Sequence, residues 1–139
     1  MAWETNVGLD VSLPAGADLS ASSSQYKAYK LNSSGQLVLC DTTAGEGYIG
    51  ILQDGGAAAG RACQIRYGGI TKVAAGGSFN PGDKLAPNAS GLLVKYTKAT
   101  VFTGTPYLVS GSQVVGVALA AGVNAQTSTM LCLQQGFSS

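Results

Sequence analysis

A chain of 139 residues with 11% charged side chains and a net charge of +1 suits one compact domain, and excludes the basic field that draws proteins to nucleic acid or an acidic membrane. Large apolar side chains make up about a quarter of the chain, enough for one modest core. There is no histidine, so the commonest general base and the commonest metal ligand are both missing; five Asp and two Glu remain.

The first thirteen residues hold the only tryptophan, Trp3, and a pattern that predicts a strand over 6–13. Residues 14–24 are small and polar without periodicity and read as a loop or linker. Together, 1–24 form an expected N-terminal arm whose partner lies on another chain; the alternative is that Trp3 caps its own barrel. The remainder, 25–139, is expected to be a single β domain.

Short β-branched or Leu-rich runs follow, separated by Gly, Asn, Ser and Asp, the pattern of an all-β domain with tight turns. Strands are predicted over 25–31, 36–41, 47–53, 62–67, 70–74, 84–86, 92–97, 105–109, 114–120 and 127–134. The Ala-rich pieces 57–61 and 118–121 are too short to stand as helices. In Asn32-Ser33-Ser34-Gly35 and in 88–91 the closing glycine accepts positive φ, and Pro81-Gly82 fits the centre of a type II turn. The run 62–67 alternates, which predicts Gln64 and Arg66 facing water and Ile65 and Tyr67 facing the core.

The features recur in the same order. Residues 29–38 resemble 84–94 around the pairs Ser34-Gly35 and Ser90-Gly91. Residues 48–52 resemble 114–118 around Gly50 and Gly116, and 64–68 resemble 132–136. The pattern predicts a duplicated β unit, about 26–69 and 82–136, whose copies close a small barrel or sandwich. A glycine inside a strand marks a bend or a close backbone approach, which suits Gly50 and Gly116.

Sites for chemistry are few. Gly55-Gly56-Ala57-Ala58-Ala59-Gly60-Arg61 lacks the Lys-Ser/Thr end of a phosphate-binding loop and reads as a surface loop. Asp41 with Glu46, or Asp54 with Asp83, are the available carboxylate pairs, and solvated turn residues are the simpler reading. Arg61, Arg66 and Lys72 are too sparse for a nucleic-acid groove. Cys40, Cys63 and Cys132 match no disulfide or zinc spacing and read as buried small hydrophobes in a reducing compartment. The start of the chain has no basic or apolar leader, and the longest apolar stretch, 114–123, is short of the roughly 20 residues that cross a bilayer. A soluble cytoplasmic product with no cofactor, metal, nucleic acid or membrane partner is the expectation.

The run 30–69, then Lys72-Val73-Ala74-Ala75-Gly76, Pro81-Gly82-Asp83 and 115–121, resembles the tailed-phage capsid decoration (cement) proteins, including the group carried in prophages as a domain of unknown function. The resemblance spans about residues 26–136. It implies a small β-barrel, often a homotrimer, that sits outside an icosahedral capsid and clamps neighbouring copies of the major capsid protein. It implies no enzymatic activity, a place on the capsid surface of the virion, and assembly in the bacterial host cytoplasm. The arm is the candidate contact with the capsid or a neighbouring protomer, through Trp3, Glu4, Val7 and Leu9. An alternative is a virion adhesion or glycan-binding module in which Tyr26, Tyr29, Tyr48, Tyr67, Tyr96 and Tyr107 form a stacking platform. A hydrolase is a weaker rival, as is a carrier domain, whose modified lysine neither Lys72 nor Lys95 is placed to supply.

Overall fold

The computed structural model describes residues 9–40, 48–54, 58–96 and 114–132. Among them are nine strands: β1 (Leu9–Pro14), β2 (Ala28–Leu31), β3 (Leu37–Leu39), β4 (Tyr48–Leu52), β5 (Ala62–Ala74), β6 (Lys84–Pro87), β7 (Leu93–Lys95), β8 (Gly116–Ala118) and β9 (Thr127–Cys132). The fold is all-β, and the strands pair antiparallel into a curled half-barrel. The order across the sheet is β3-β2-β4-β5-β9-β8-β6-β7, with β1 also paired to β5. The strand expected over 105–109 lies outside the described residues.

The long strand β5 is the spine. Two strands were expected here, 62–67 and 70–74, divided at Gly68-Gly69; the chain instead runs straight through. The glycines bend the strand without ending its pairing. Gly68 pairs with Leu9 and Gly69 with Cys132, so β5 passes from β1 to β9 at this point. Gly69 takes φ 86°, and a Cβ on Gly68 would meet Leu9 Cδ1 at 2.8 Å. The register slips here: Asp10 faces Arg66 while Leu9 faces Gly68, which leaves Tyr67 as the extra residue of a bulge. Tyr67 therefore points to solvent, against the alternation that assigns it to the core, while Ile65 is buried as expected.

Much of the stretch expected as arm and linker belongs to the sheet. β1 pairs with β5 from Leu9 to Pro14. Ala15 then makes a parallel bridge to Leu37 and, with Leu19, is buried. Only a small residue fits next: the Gly16 amide donates to the Leu37 carbonyl at 2.7 Å, and a Cβ on Gly16 would lie 2.9 Å from that oxygen. Residues 1–8, with Trp3, Glu4 and Val7, lie outside the described residues.

The two sides of the spine are paired alike. Tyr29, Lys30 and Leu31 of β2 face Leu39, Val38 and Leu37 of β3; Leu85, Ala86 and Pro87 of β6 face Lys95, Val94 and Leu93 of β7. Ala28, Ile51, Arg66 and Asp10 form one row across β2, β4, β5 and β1. Lys84, Val117, Leu131 and Ile70 form the matching row across β6, β8, β9 and β5. Ala75 bridges Leu93 as Ala15 bridges Leu37, and the Gly76 amide donates to the Leu93 carbonyl as Gly16 does to Leu37. Asn32 and Asn88 close their turns identically, each side-chain oxygen accepting from the amides two and four residues on. By this register Cys132 corresponds to Tyr67, not to Gln64 as the sequence comparison aligned it.

Two clusters fill the interior. Ala15, Leu19, Tyr29, Leu37, Leu52, Cys63 and Ile65 pack inside the first side. Their counterparts Ala75, Phe79, Leu85, Leu93, Ala118 and Met130 pack inside the second. That second cluster also takes in Ala28, Cys40, Tyr48 and Ile51, so the back of the first side covers the open mouth of the second.

Candidate functional site

A cleft of about 610 Å³ runs along β5 where the two sides meet, lined by Tyr26, Gln53, Arg66, Ile70, Thr71, Lys72, Leu119, Ala120 and Thr129. Its floor is built by strand alternation: Arg66, Ile70 and Lys72 share one face of β5, and Thr129 of β9 stands in register with Lys72. Tyr26 enters from the turn before β2, held at φ 67°. Its amide donates to the Leu52 carbonyl and its carbonyl accepts from the Ala74 amide, both at 2.8 Å, so the backbone is fixed at the junction.

Three of the polar side chains that line the cleft, Gln53, Thr71 and Arg66, are hydrogen-bonded. Gln53 Nε2 donates to Thr71 Oγ1 at 2.8 Å and to the Ile51 carbonyl at 3.0 Å. The Thr71 hydroxyl donates to the Lys72 carbonyl at 2.9 Å. Arg66 forks onto Asp10, Nε to Oδ1 at 2.8 Å and Nη2 to Oδ2 at 3.1 Å, and Nη1 reaches the Ile70 carbonyl at 2.9 Å. Gln64 Nε2 adds a bond to Asp10 Oδ2 at 2.8 Å. Its hydrogen bonds to the accepting Asp10 carboxylate hold the Arg66 guanidinium above its ordinary pKa. The cleft offers apolar wall from Ile70, Leu119 and Ala120, the cationic side chains of Arg66 and Lys72, and a Thr71 hydroxyl bonded on both sides.

The other expected centres separate. Asp54 Oδ1 accepts from the Gln64 amide at 2.9 Å, and Asp83 Oδ2 accepts from the Asn80 amide at 2.8 Å, with Lys95 Nζ at 3.8 Å. Each carboxylate serves its own turn; Asp41 and Glu46 lie outside the described residues. Among the described residues, no three His, Cys, Asp or Glu side chains come together as metal ligands, and no helix is long and apolar enough to cross a membrane. All three cysteines are buried and none forms a disulfide. Burial pushes the Cys132 thiol up to about 11, and burial with the nearby Asp54 raises Cys63.

Among the described residues the tyrosines are divided between core and surface. Tyr29 and Tyr48 are in the core, the Tyr29 hydroxyl donating to the Ser24 carbonyl at 3.1 Å. Tyr26 and Tyr96 are half-buried, Tyr67 is exposed on its bulge, and Tyr107 lies outside the described residues. Lys72 sits in the middle of β5 and Lys95 ends β7, neither at a hairpin tip.

Of the four expected contact residues, Leu9 is described. It is 46% exposed at the start of β1, beside Gly68. The exposed apolar side chains Val11 and Tyr67 stand near it, Tyr67 on the bulge opposite Leu9 and Asp10.

No family model matches the chain. No curated protein matches it either. Among solved structures it is similar to the N-terminal base of the head fiber protein gp8.5 of bacteriophage phi29, with 18% sequence identity over 95% of this chain and 99% of that one, and a TM-score of 0.49.

Proposed function

We propose that the chain is a non-enzymatic structural protein of a phage virion, a homotrimer that binds the outside of an icosahedral capsid and stabilises the expanded lattice by clamping neighbouring copies of the major capsid protein. A protein of this kind acts by mass action: it binds the assembled state and not the unassembled one, and so favours the assembled one. The observation that carries the reading is where its sequence motifs fall. Gly82 and Asn88-to-Gly91 build turns, Gly50 and Gly116 sit at close crossings, and Ala75-Gly76 ties β5 to β7. The motifs behind the resemblance to decoration proteins are thus used in the frame, while Leu9, Val11 and Tyr67 are on display.

The matching pairings on the two sides of β5 support descent from a duplicated β unit. In this proposal the N-terminal residues Trp3, Glu4 and Val7, continuing into Leu9, contact the capsid or a neighbouring protomer, with Trp3 as the anchor. Because β1 and Ala15 belong to the sheet, the arm of this proposal is confined to residues 1–8, shorter than the expected 1–24.

The test is co-sedimentation of the purified protein with expanded and unexpanded heads of the phage that encodes it. Saturable binding to expanded heads, weakened about tenfold or more by Trp3→Ala, is expected. Failure to bind either form overturns the proposal.

A further inference from the structure

The two sides of the sheet are paired alike but covered differently. The back of the first side, the row Ala28 and Ile51 with Cys40 and Tyr48, is buried against the mouth of the second side. That mouth is rimmed by Thr71, Val73, Val115 and Cys132, and it is closed: Thr71 is 2% exposed and Cys132 8%. The counterparts of these four on the first side are Val11, Leu13, Ile49 and Tyr67. Nothing in the described residues closes them in the same way. Val11 is 39% exposed, Tyr67 44%, and Leu13 and Ile49 are half-buried.

The open mouth is also the more apolar of the two. Val stands where the covered mouth has Thr71, and Tyr where it has Cys132. Large apolar side chains grouped at the surface are the usual mark of a covered face. The second side has a matching surplus. Its back, the counterpart of Ala28 and Ile51, is the row Lys84, Val117, Leu131 and Ile70. Leu131 is 38% exposed and Val117 and Ile70 are half-buried there, with Leu119 exposed beside them. Among the described residues, the mouth of the first side and the back of the second are thus both left partly exposed, the same two kinds of surface that meet in the middle of the chain.

We infer that the mouth of one copy, Val11, Leu13, Ile49 and Tyr67, seats on the back of a second copy, Ile70, Val117 and Leu131, repeating between chains the junction made within the chain. The occupant is a second copy because the chain itself carries both partners in the required register: a back of this strand order already fills a mouth of this strand order. The contact is head to tail, with different surfaces on the two copies, so it generates rings when the rotation closes. Tyr67 is the anchor, raised from β5 by the bulge opposite Leu9 and Asp10. Leu9 lies at the rim of this contact. The inference rests on the self-association part of the proposed function and is independent of capsid binding.

The test uses two single substitutions at exposed positions of the full chain, Val11→Asp in the mouth and Leu131→Asp in the back, followed by light scattering and sedimentation equilibrium. Wild-type protein is expected to form a closed oligomer, and each variant to weaken association about a hundredfold while keeping the wild-type circular dichroism spectrum. Mixing the two variants is the decisive step, since each retains the surface the other lacks. A one-to-one heterodimer that grows no further supports the inference. Should either aspartate unfold the chain, Tyr67→Ser and Val117→Ser replace the pair. A monomeric wild type, variants that associate as wild type does, or a mixture that stays monomeric overturns it. A monomer that still decorates heads removes this inference and leaves capsid binding standing; an oligomer that ignores heads does the reverse.

Discussion

Tyr26 holds a left-handed backbone, φ 67°, at the place on the first side of the sheet where Gly82, φ 92°, stands on the second. Both amides make the same bond, Tyr26 to the Leu52 carbonyl and Gly82 to the Ala118 carbonyl, each at 2.8 Å. A bulky residue with positive φ is an outlier that the surroundings must enforce. Here the reward is position: the ring lines the cleft between the two sides and packs against the larger core cluster.

Gly82→Ala separates conformation from packing. A Cβ there meets nothing within 4 Å, so the cost is that of the left-handed backbone, about 1 kcal/mol. Gly91→Ala carries the same backbone cost at φ 75° and adds a Cβ 3.0 Å from Leu39 Cγ and 3.2 Å from the Ala28 carbonyl oxygen. Urea unfolding is expected to show the larger loss for Gly91→Ala; equal losses contradict the packing of the turn on β2 and β3.

Gly50 and Gly116 have a different requirement. A Cβ on Gly50 would lie 2.7 Å from the Arg66 carbonyl oxygen and against Ile65, and one on Gly116 would lie 2.6 Å from the Leu131 carbonyl oxygen and against Met130. Each alanine variant is expected to lose about 2 kcal/mol through overpacking, read by thermal or denaturant unfolding. A near-neutral result for both would show that the neighbouring strands are not held as close as described.

The Asp10–Arg66 fork ties β1 to the spine. Both side chains are largely shielded from solvent, and Asp10 also accepts from Gln64. Asp10→Asn is expected to cost about 1–2 kcal/mol, because the Arg66 guanidinium loses its carboxylate while its place in the fold stays the same. A double-mutant cycle with Arg66→Gln checks the coupling; additive effects contradict it.

Stability is expected to fall in alkali. The Cys132 thiol rises from 9.0 to about 11 on folding, chiefly because burial disfavours the thiolate. A raised folded value means that the folded state holds the proton more tightly. The stabilisation is therefore complete below pH 9 and is lost as pH climbs to 11, about 2–3 kcal/mol in all. Burial also pushes the Tyr48 hydroxyl well up, which extends the same trend above pH 10. Urea midpoints measured from pH 8 to 11 should decline, and less steeply for Cys132→Ala; a flat profile contradicts the burial of this thiol.

The all-β class and most strands were legible because period-two runs and turn residues are local signals. Gly35, Gly82 and Gly91 all take the positive φ that their turn sequences require. Two features were not legible for a shared reason: they depend on partners distant in sequence. The continuity of β5 through Gly68-Gly69 follows from pairing with β1 on one side and β9 on the other. The solvent-facing Tyr67 follows from a bulge that only the register with Asp10 and Leu9 creates. A strand ending at 13 was legible, but the bridge that carries the chain on through Ala15 to Leu37 was not, because Ala15 and Gly16 look like linker residues, yet smallness is what their approach to Leu37 demands. That Val11 and Tyr67 are exposed near Leu9 was not legible in the sequence, because the register of β1 on β5 brings them together.

Capsid binding is tested most directly by electron cryo-microscopy of expanded heads incubated with the purified protein. The account predicts ordered extra density on the outer surface at symmetry-related positions, each large enough for a ring of copies joined mouth to back. Heads whose surface is unchanged at saturating protein would contradict it.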